Sequence, residues 1–240
     1  MHLSDQAAQS HVTENPAQLS APLAELFPAG VAAAELTVPA PRTLLTAAEL
    51  QFIRGCADKR IQDFTMGRAC AHRALRELGI EGFSILAGPK REPIWPASII
   101  GSITHTHGFA GAVVARQSDL RAIGVDCEVI ESVDEELWSR ICTASEVERL
   151  AQLPPPERVR QAALIFAAKE AFYKCQFPLS RSWVGFEDVV VEPLEWPAEA
   201  GSLRIVPQKE LPVPSGFVAT LVGRFQFRDP WVITGVTAPN

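Results

Sequence analysis

Apolar residues recur at helical spacing between positions 58 and 78, where Ile61, Phe64, Leu75 and Leu78 share a face. The spacing predicts a helix stopped by Gly79. Two Thr-x-x-Glu segments, Thr46–Glu49 and Thr143–Glu146, are capping boxes. They predict a helix opening at 46 and another running from 143 to about 153. Pro154–Pro156 then separates that helix from a long one, from Glu157 to about Cys175. Strands are expected at Val31–Val38, Phe83–Leu86, Ile99–Thr104, Phe109–Arg116 and Leu120–Val129, with Gln117–Asp119 as a turn. The remainder alternates turns with short strands at Gly185–Val191, Leu203–Val206, Gly216–Val222 and Trp231–Val236. Three prolines between Gly88 and Pro96 make that segment a loop. Residues 1–28, rich in Ala, Pro, Gln and Ser, are expected to form a flexible arm. Residues 29–118 and 119–240 are then two α+β halves.

Composition narrows the class. With 47% hydrophobic and 21% charged residues the chain is globular, and no apolar run reaches the roughly 18 residues of a membrane span. The first 15 residues carry no secretory pattern, and the five cysteines form no CxxC pair, so reduced thiols in a cytoplasmic protein are expected. A net charge of −6 argues against bulk nucleic-acid binding. The charge is segregated. Arg54–Arg76 holds six basic residues against two acids, while Asp119–Glu170 holds eleven acids against six basic residues. Such a chain offers a cationic patch for a polyanion and an acidic patch for a metal, although solvated helix faces produce the same segregation.

Four constellations carry chemistry. In Gly124-Val-Asp126-Cys-Glu128 the two carboxylates project from one strand face, with Cys127 turned away. Oxygen ligands of this kind suit Mg2+, and an exposed strand face also carries such a pair. In Phe166-Ala-Ala-Lys169-Glu170-Ala-Phe-Tyr-Lys174 a helix aligns Ala163, Phe166, Ala167, Glu170 and Lys174. A carboxylate on an apolar stripe is either a third metal ligand or half of an i,i+4 surface pair with Lys174. In Gly101-Ser-Ile-Thr-His105-Thr-His107-Gly108 the HxH spacing lacks a third Zn2+ ligand nearby, and His105 reads more simply as a donor to an anion. Arg60 and Arg68 lie about two helical turns apart, roughly 12 Å, and point within about 80° of each other. They suit separate phosphates, with Gly67 removing bulk and Lys90 and Arg91 adding charge from the loop.

In this order the pieces resemble the 4′-phosphopantetheinyl transferase superfamily. Its (I/V)G(V/I)DxE pattern stands at Ile123–Glu128, and its (F/W)xxKExxxK pattern at Phe166–Lys174, about forty residues later. Arg91–Pro96, Gly101–Gly108 and Gly67-Arg68-Ala69 are similar to the branch associated with enterobactin synthetase. The resemblance covers roughly residues 45–190.

It implies a pseudo-twofold α+β monomer of two similar halves, with coenzyme A in the cleft between them. Asp126, Glu128 and Glu170 would hold Mg2+, with the Cys127 backbone carbonyl a further ligand in preference to the thiol. Lys169 and Lys174 would contact the coenzyme A phosphates. Arg60, Arg68, Lys90, Arg91, Thr104 and His105 would hold the 3′-phosphoadenosine end and the pyrophosphate. Glu170, with Lys174, would be catalytic. The implied reaction moves 4′-phosphopantetheine from coenzyme A to a serine of an apo acyl or peptidyl carrier protein, of siderophore or other secondary-metabolite synthesis among others, and releases 3′,5′-ADP. Two rivals are another Mg2+-dependent phosphoryl-transfer enzyme, which leaves the basic helix unexplained, and a non-catalytic binder of coenzyme A or carrier protein. The intact carboxylates and lysines argue against the second.

Overall fold

A capping box starts a helix by satisfying amides that no helical carbonyl can reach, and both predicted boxes do so. Thr46 caps α1 (Ala47–Phe52) and Thr143 caps α4 (Ala144–Ala151). The computed structural model describes residues 22–240. Most of the expected arm, residues 1–21, lies outside the described residues. Pro22–Leu26 is a 3-10 turn with Leu23 and Leu26 buried, so this end of the expected arm is packed.

The N-terminal elements are β1 (Ala32–Leu36), α1, α2 (Asp58–Glu77), β2 (Ile99–Thr106) and β3 (Phe109–Arg116). Gly79, at φ +80°, follows the end of α2 as expected. The strands form an antiparallel sheet in the order β1-β3-β2, with α2 packed on it. Next come β4 (Ala122–Val129), α3 (Glu135–Ile141), α4, α5 (Pro155–Ser180), β5 (Val189–Pro193), β6 (Ala200–Pro207), β7 (Val222–Arg228) and β8 (Trp231–Ala238). Their antiparallel sheet runs β4-β8-β7-β6-β5, and α5 is buried against it.

Five local expectations change, one of them the strand expected at Gly185–Val191, where Phe186–Asp188 is a 3-10 turn and β5 begins at Val189. Helix α3, capped by Asp134, is too short to show a clear period. Phe83–Leu86 is not a strand: the Ile85 amide donates to Glu49 and its carbonyl accepts from Arg68. Residues 218–220 form a 3-10 turn, and the strand begins at Val222. Helix α5 continues past Cys175 to Ser180, with Pro178 tolerated in its last turn.

The two halves repeat one device. Glu49, at the third position of α1, accepts from the Thr46 amide, the Ile85 amide and His72 Nε2 of α2 at 2.8–2.9 Å. Glu146, at the same position of α4, accepts from the Thr143 amide, the Val191 amide and Lys169 Nζ of α5 at 2.6–2.8 Å. Each half thus pins its long helix, its capped short helix and one extended segment to a single buried carboxylate. The pseudo-twofold α+β architecture is present, although the sequences share little beyond the boxes.

The halves meet where β2 faces β4. The outer edge of β4 would present bare amides. Side-chain hydroxyls cover it: Ser102 Oγ accepts from the Val125 amide at 3.1 Å and Thr104 Oγ1 from the Cys127 amide at 3.0 Å. A second tie joins β1 to β7, where Glu35 takes both terminal nitrogens of Arg228 at 2.7 and 2.9 Å.

Helix α5 lies unusually close to β4. A Cβ on Gly124 would stand 2.0 Å from the carbonyl oxygen of Ala171 and 2.7 Å from the amide nitrogen of Cys175. Backbone cannot yield as a side-chain tip can. Gly124→Ala should therefore destabilise the protein by about 3 kcal/mol or more, read by urea denaturation. Wild-type stability in that variant would show that the contact is not tight.

Candidate active site

Strand β4 alternates between two environments. Ile123, Val125 and Cys127 enter the core shared with β3 and the 22–26 turn. Gly124, Asp126 and Glu128 occupy the α5 face. The Cys127 thiol is buried and pushed far above its usual range, by burial first and then by Asp126 and Glu128. The thiol is therefore held neutral and faces away from the Asp126 side of the strand. Its amide points toward Thr104, and in a strand the carbonyl of the same residue points to the same side.

Asp126 is the hub. Its Oδ1 accepts from Lys174 Nζ at 2.5 Å and from Thr104 Oγ1 at 3.0 Å. Its Oδ2 is buried with no hydrogen-bond partner. Burial, then Asp126 and Glu170, push Glu128 up to about 8 against the pull of Lys174. Burial and Asp126 likewise raise Glu170. Burial opposes the charge on Lys174, but Asp126, Glu170 and Glu128 hold it protonated above the usual lysine range. Three carboxylates thus share one ammonium. Among the described residues no three His, Cys, Asp or Glu side chains are gathered into a ready metal cage.

Two assignments are corrected. Lys169 does not face a ligand. Its side chain is 1% exposed, and Nζ donates to Glu146, the Ile141 carbonyl and the Phe186 carbonyl at 2.6–2.9 Å. All three ammonium protons are committed to the core. Thr104 is also buried, and its hydroxyl is spent on Asp126 and the Cys127 amide, so its side chain ties the halves together.

The basic side is more varied than a matched pair of arginines. Arg60 is exposed, 5.9 Å from the Phe64 ring centre. Arg68 is only 7% exposed: its Nε donates to the Ile85 carbonyl, and its guanidinium lies 4.4 Å from the Phe64 ring centre. Burial lowers its pKa to about 10, with Glu49 opposing and Arg60 adding to the drop. Gly67 does not open room for a ligand. Its bare face meets Ile103, where a Cβ would sit 2.9 Å from Cγ2, so it lets α2 approach β2. His105 lies at the end of β2 with its side chain 41% exposed and the rest of the ring covered, and His107 stands in the turn beyond.

A cleft of about 840 Å³ runs between the halves, with Lys90, Arg91 and Trp95 on one wall and Glu170, Lys174 and Phe177 on the other. Glu92 and Arg181 bridge it at 2.9 Å. No sequence motif marks Ser102, Asp63 or Glu146 as a site residue. Ser102 is two residues from Thr104 on one strand face, a period-2 signal for the seam. Asp63 is four residues from Lys59, and the only sequence signal at Glu146 is the capping box.

These features define a two-lobed α+β protein with cationic and acidic groups meeting at the junction of its lobes. Two family models match the chain: the 4′-phosphopantetheinyl transferase N-terminal domain over residues 48–115, and the 4′-phosphopantetheinyl transferase superfamily over residues 122–221. The chain is 33% identical over 224 residues to the 4′-phosphopantetheinyl transferase PptT of Mycobacterium tuberculosis, covering 89% of this chain and 96% of that one. It is 32% identical to the 4′-phosphopantetheinyl transferase Npt of Nocardia iowensis, over 88% of this chain and 97% of the relative. Enterobactin synthase component D of Escherichia coli is 41% identical over 118 residues, 48% of this chain and 54% of its own. The chain belongs to the 4′-phosphopantetheinyl transferase superfamily.

The core role of Lys169 is testable. Lys169→Met leaves Glu146 buried without its cation and should lower stability by about 3–5 kcal/mol. Glu146→Gln/Lys169→Met removes both charges but keeps an oxygen for the Val191 amide, and should be less destabilised than Lys169→Met alone. Urea denaturation of the three proteins measures this. A Lys169→Met protein as stable as wild type would remove the strut.

Proposed function

We propose that this chain transfers 4′-phosphopantetheine from coenzyme A to a serine of an apo carrier protein, releasing 3′,5′-ADP, with Mg2+ at the carboxylates. The observation that carries the reading is the buried, unpartnered Oδ2 of Asp126, a carboxylate whose charge acts on both Glu128 and Glu170 and whose partner Lys174 lines a cleft with Lys90, Arg91 and Arg181. A buried carboxylate oxygen without a donor calls for a cation, and an all-oxygen donor set fits a hard one. Asp126, Glu128 and Glu170 would hold the ion, and the Cys127 carbonyl is turned to the same seam. When bound, Mg2+ neutralises charge on the pyrophosphate.

Phosphoryl transfer asks the protein mainly for alignment and charge balance. Arg60, His105, Lys90 and Arg91 hold the phosphates of the nucleotide end, with Arg68 acting chiefly as the anchor that sets α2 against Ile85. Lys174, fixed on Asp126, supplies a positive charge for the departing phosphate. Glu170 takes the proton of the carrier serine, directly or through a water. A cytoplasmic monomer serving a siderophore or other secondary-metabolite synthase fits this role.

Incubation with coenzyme A, Mg2+ and a panel of apo carriers should raise the intact mass of one carrier by about 340 Da, the transferred group in such a reaction. Chelation of divalent cations should stop the reaction, and returning Mg2+ should restore it. Asp126→Asn should lower turnover at least about 100-fold with its fold retained, since one metal carboxylate is lost. A coenzyme A-binding protein that modifies no carrier in the panel, with or without Mg2+, would favour a non-catalytic role.

A further inference from the structure

An acidic residue sits among the cations of the proposed phosphate site. Asp63 of α2 places Oδ2 2.8 Å from Lys59 Nζ and 4.0 Å from His105 Nδ1. Its side chain is 18% exposed, whereas that of Lys59 is 81% exposed. A carboxylate here repels an incoming phosphate, so its placement needs a compensating role. The i,i+4 pair with Lys59 accounts for one contact, but an exposed pair of this kind contributes little. It does not account for the second contact, which crosses from α2 to the end of β2.

The surroundings of His105 supply the reason. Burial favours the neutral ring, and Lys174 of α5 with Arg60 and Lys59 of α2 push the same way. Among the described residues Asp63 is the one acid acting on the ring, and it pulls toward the imidazolium. The 4.0 Å separation is ion-pair range, too long for a hydrogen bond. With Nδ1 toward Asp63, Nε2 is the ring nitrogen left to meet an anion.

We propose that Asp63 is a positioning residue for the nucleotide phosphate: it holds His105 with Nδ1 toward α2 and Nε2 toward the ligand, and lets the ring take a proton from solvent when a phosphate dianion binds. This rests on the reading of His105 as a contact to the 3′-phosphate of coenzyme A. Asp63 thereby offsets its own repulsion of the ligand, because a charged donor holds phosphate more strongly than a neutral one.

Isothermal titration of coenzyme A and of 3′-dephospho-coenzyme A between pH 5.5 and 9 tests this. The ratio of the two affinities isolates the 3′-phosphate and cancels effects on the pyrophosphate and the metal. In the wild type the ratio should fall as the ring loses its proton. Asp63→Asn removes a charge that raises the His105 pKa, so the fall should move to lower pH, by about half a unit for a partly exposed pair. At a pH within the fall the ratio should drop about threefold, and Asp63→Glu should restore most of it. Titration of the 3′-phosphate itself is common to all variants and does not move. An Asp63→Asn profile overlaying wild type, or a higher ratio at every pH, overturns the proposal. His105→Ala separates the layers. If it leaves the ratio unchanged, His105 does not read the 3′-phosphate and the underlying reading fails. If it abolishes the ratio while Asp63→Asn does nothing, only the role of Asp63 falls.

Discussion

The close passage of α5 over β4 at Gly124 is the constraint on which the site depends. With no Cβ at 124, the helix backbone settles within contact distance of the strand. That approach brings Lys174 onto Asp126 and sets Glu170 within the field of the same carboxylate. A larger residue would lift the helix, and the acidic group would lose both its cation and its third member. The glycine of the Gly-Val-Asp pattern is thus a spacing element whose effect appears two residues along the strand and one turn along the helix.

Three buried acids illustrate how a structural carboxylate differs from a poised one. Glu49 and Glu146 each receive backbone amides and a side-chain cation or histidine. Hydrogen bonds from His72, Thr46 and Ile85 outweigh the burial of Glu49 and hold its pKa down. These two acids are satisfied, and they brace the two halves in the same way. Asp126 is served on one oxygen only. Among the described residues its Oδ2 is the one buried side-chain oxygen without a hydrogen-bond partner, which makes it informative about function.

The seam between the halves places groups of different origin in one site. Ser102 and Thr104 cover the edge of β4 with hydroxyls, which lets the two sheets abut without sharing a ladder. The end of β2, with His105, therefore lies beside the end of β4, with Asp126 and Glu128. Basic and acidic groups that are separate in the chain meet at this seam: Thr104, next to His105, donates to Asp126, and Lys174 acts on both His105 and Asp126.

Local signals in the sequence determined the capped helices, the β2–β3 hairpin, the strand carrying Asp126 and Glu128 on one face, and the pattern that marks the superfamily. Each rests on short-range geometry: a capping box, a period of two, or a period near four. Lys169 shows where such reasoning ends. It adjoins Glu170 in the chain, yet one residue turns it about 100° around the helix, off the stripe shared by Glu170 and Lys174. Whether that other face met solvent, ligand or core was decided by α4, whose buried Glu146 claims the lysine. Thr104 was decided likewise by β4, and Gly67 by Ile103. Sequence spacing determined which way each side chain points from its own element. Only tertiary packing decided what stood opposite, because a buried charge is settled by its partner and that partner came from a distant part of the chain.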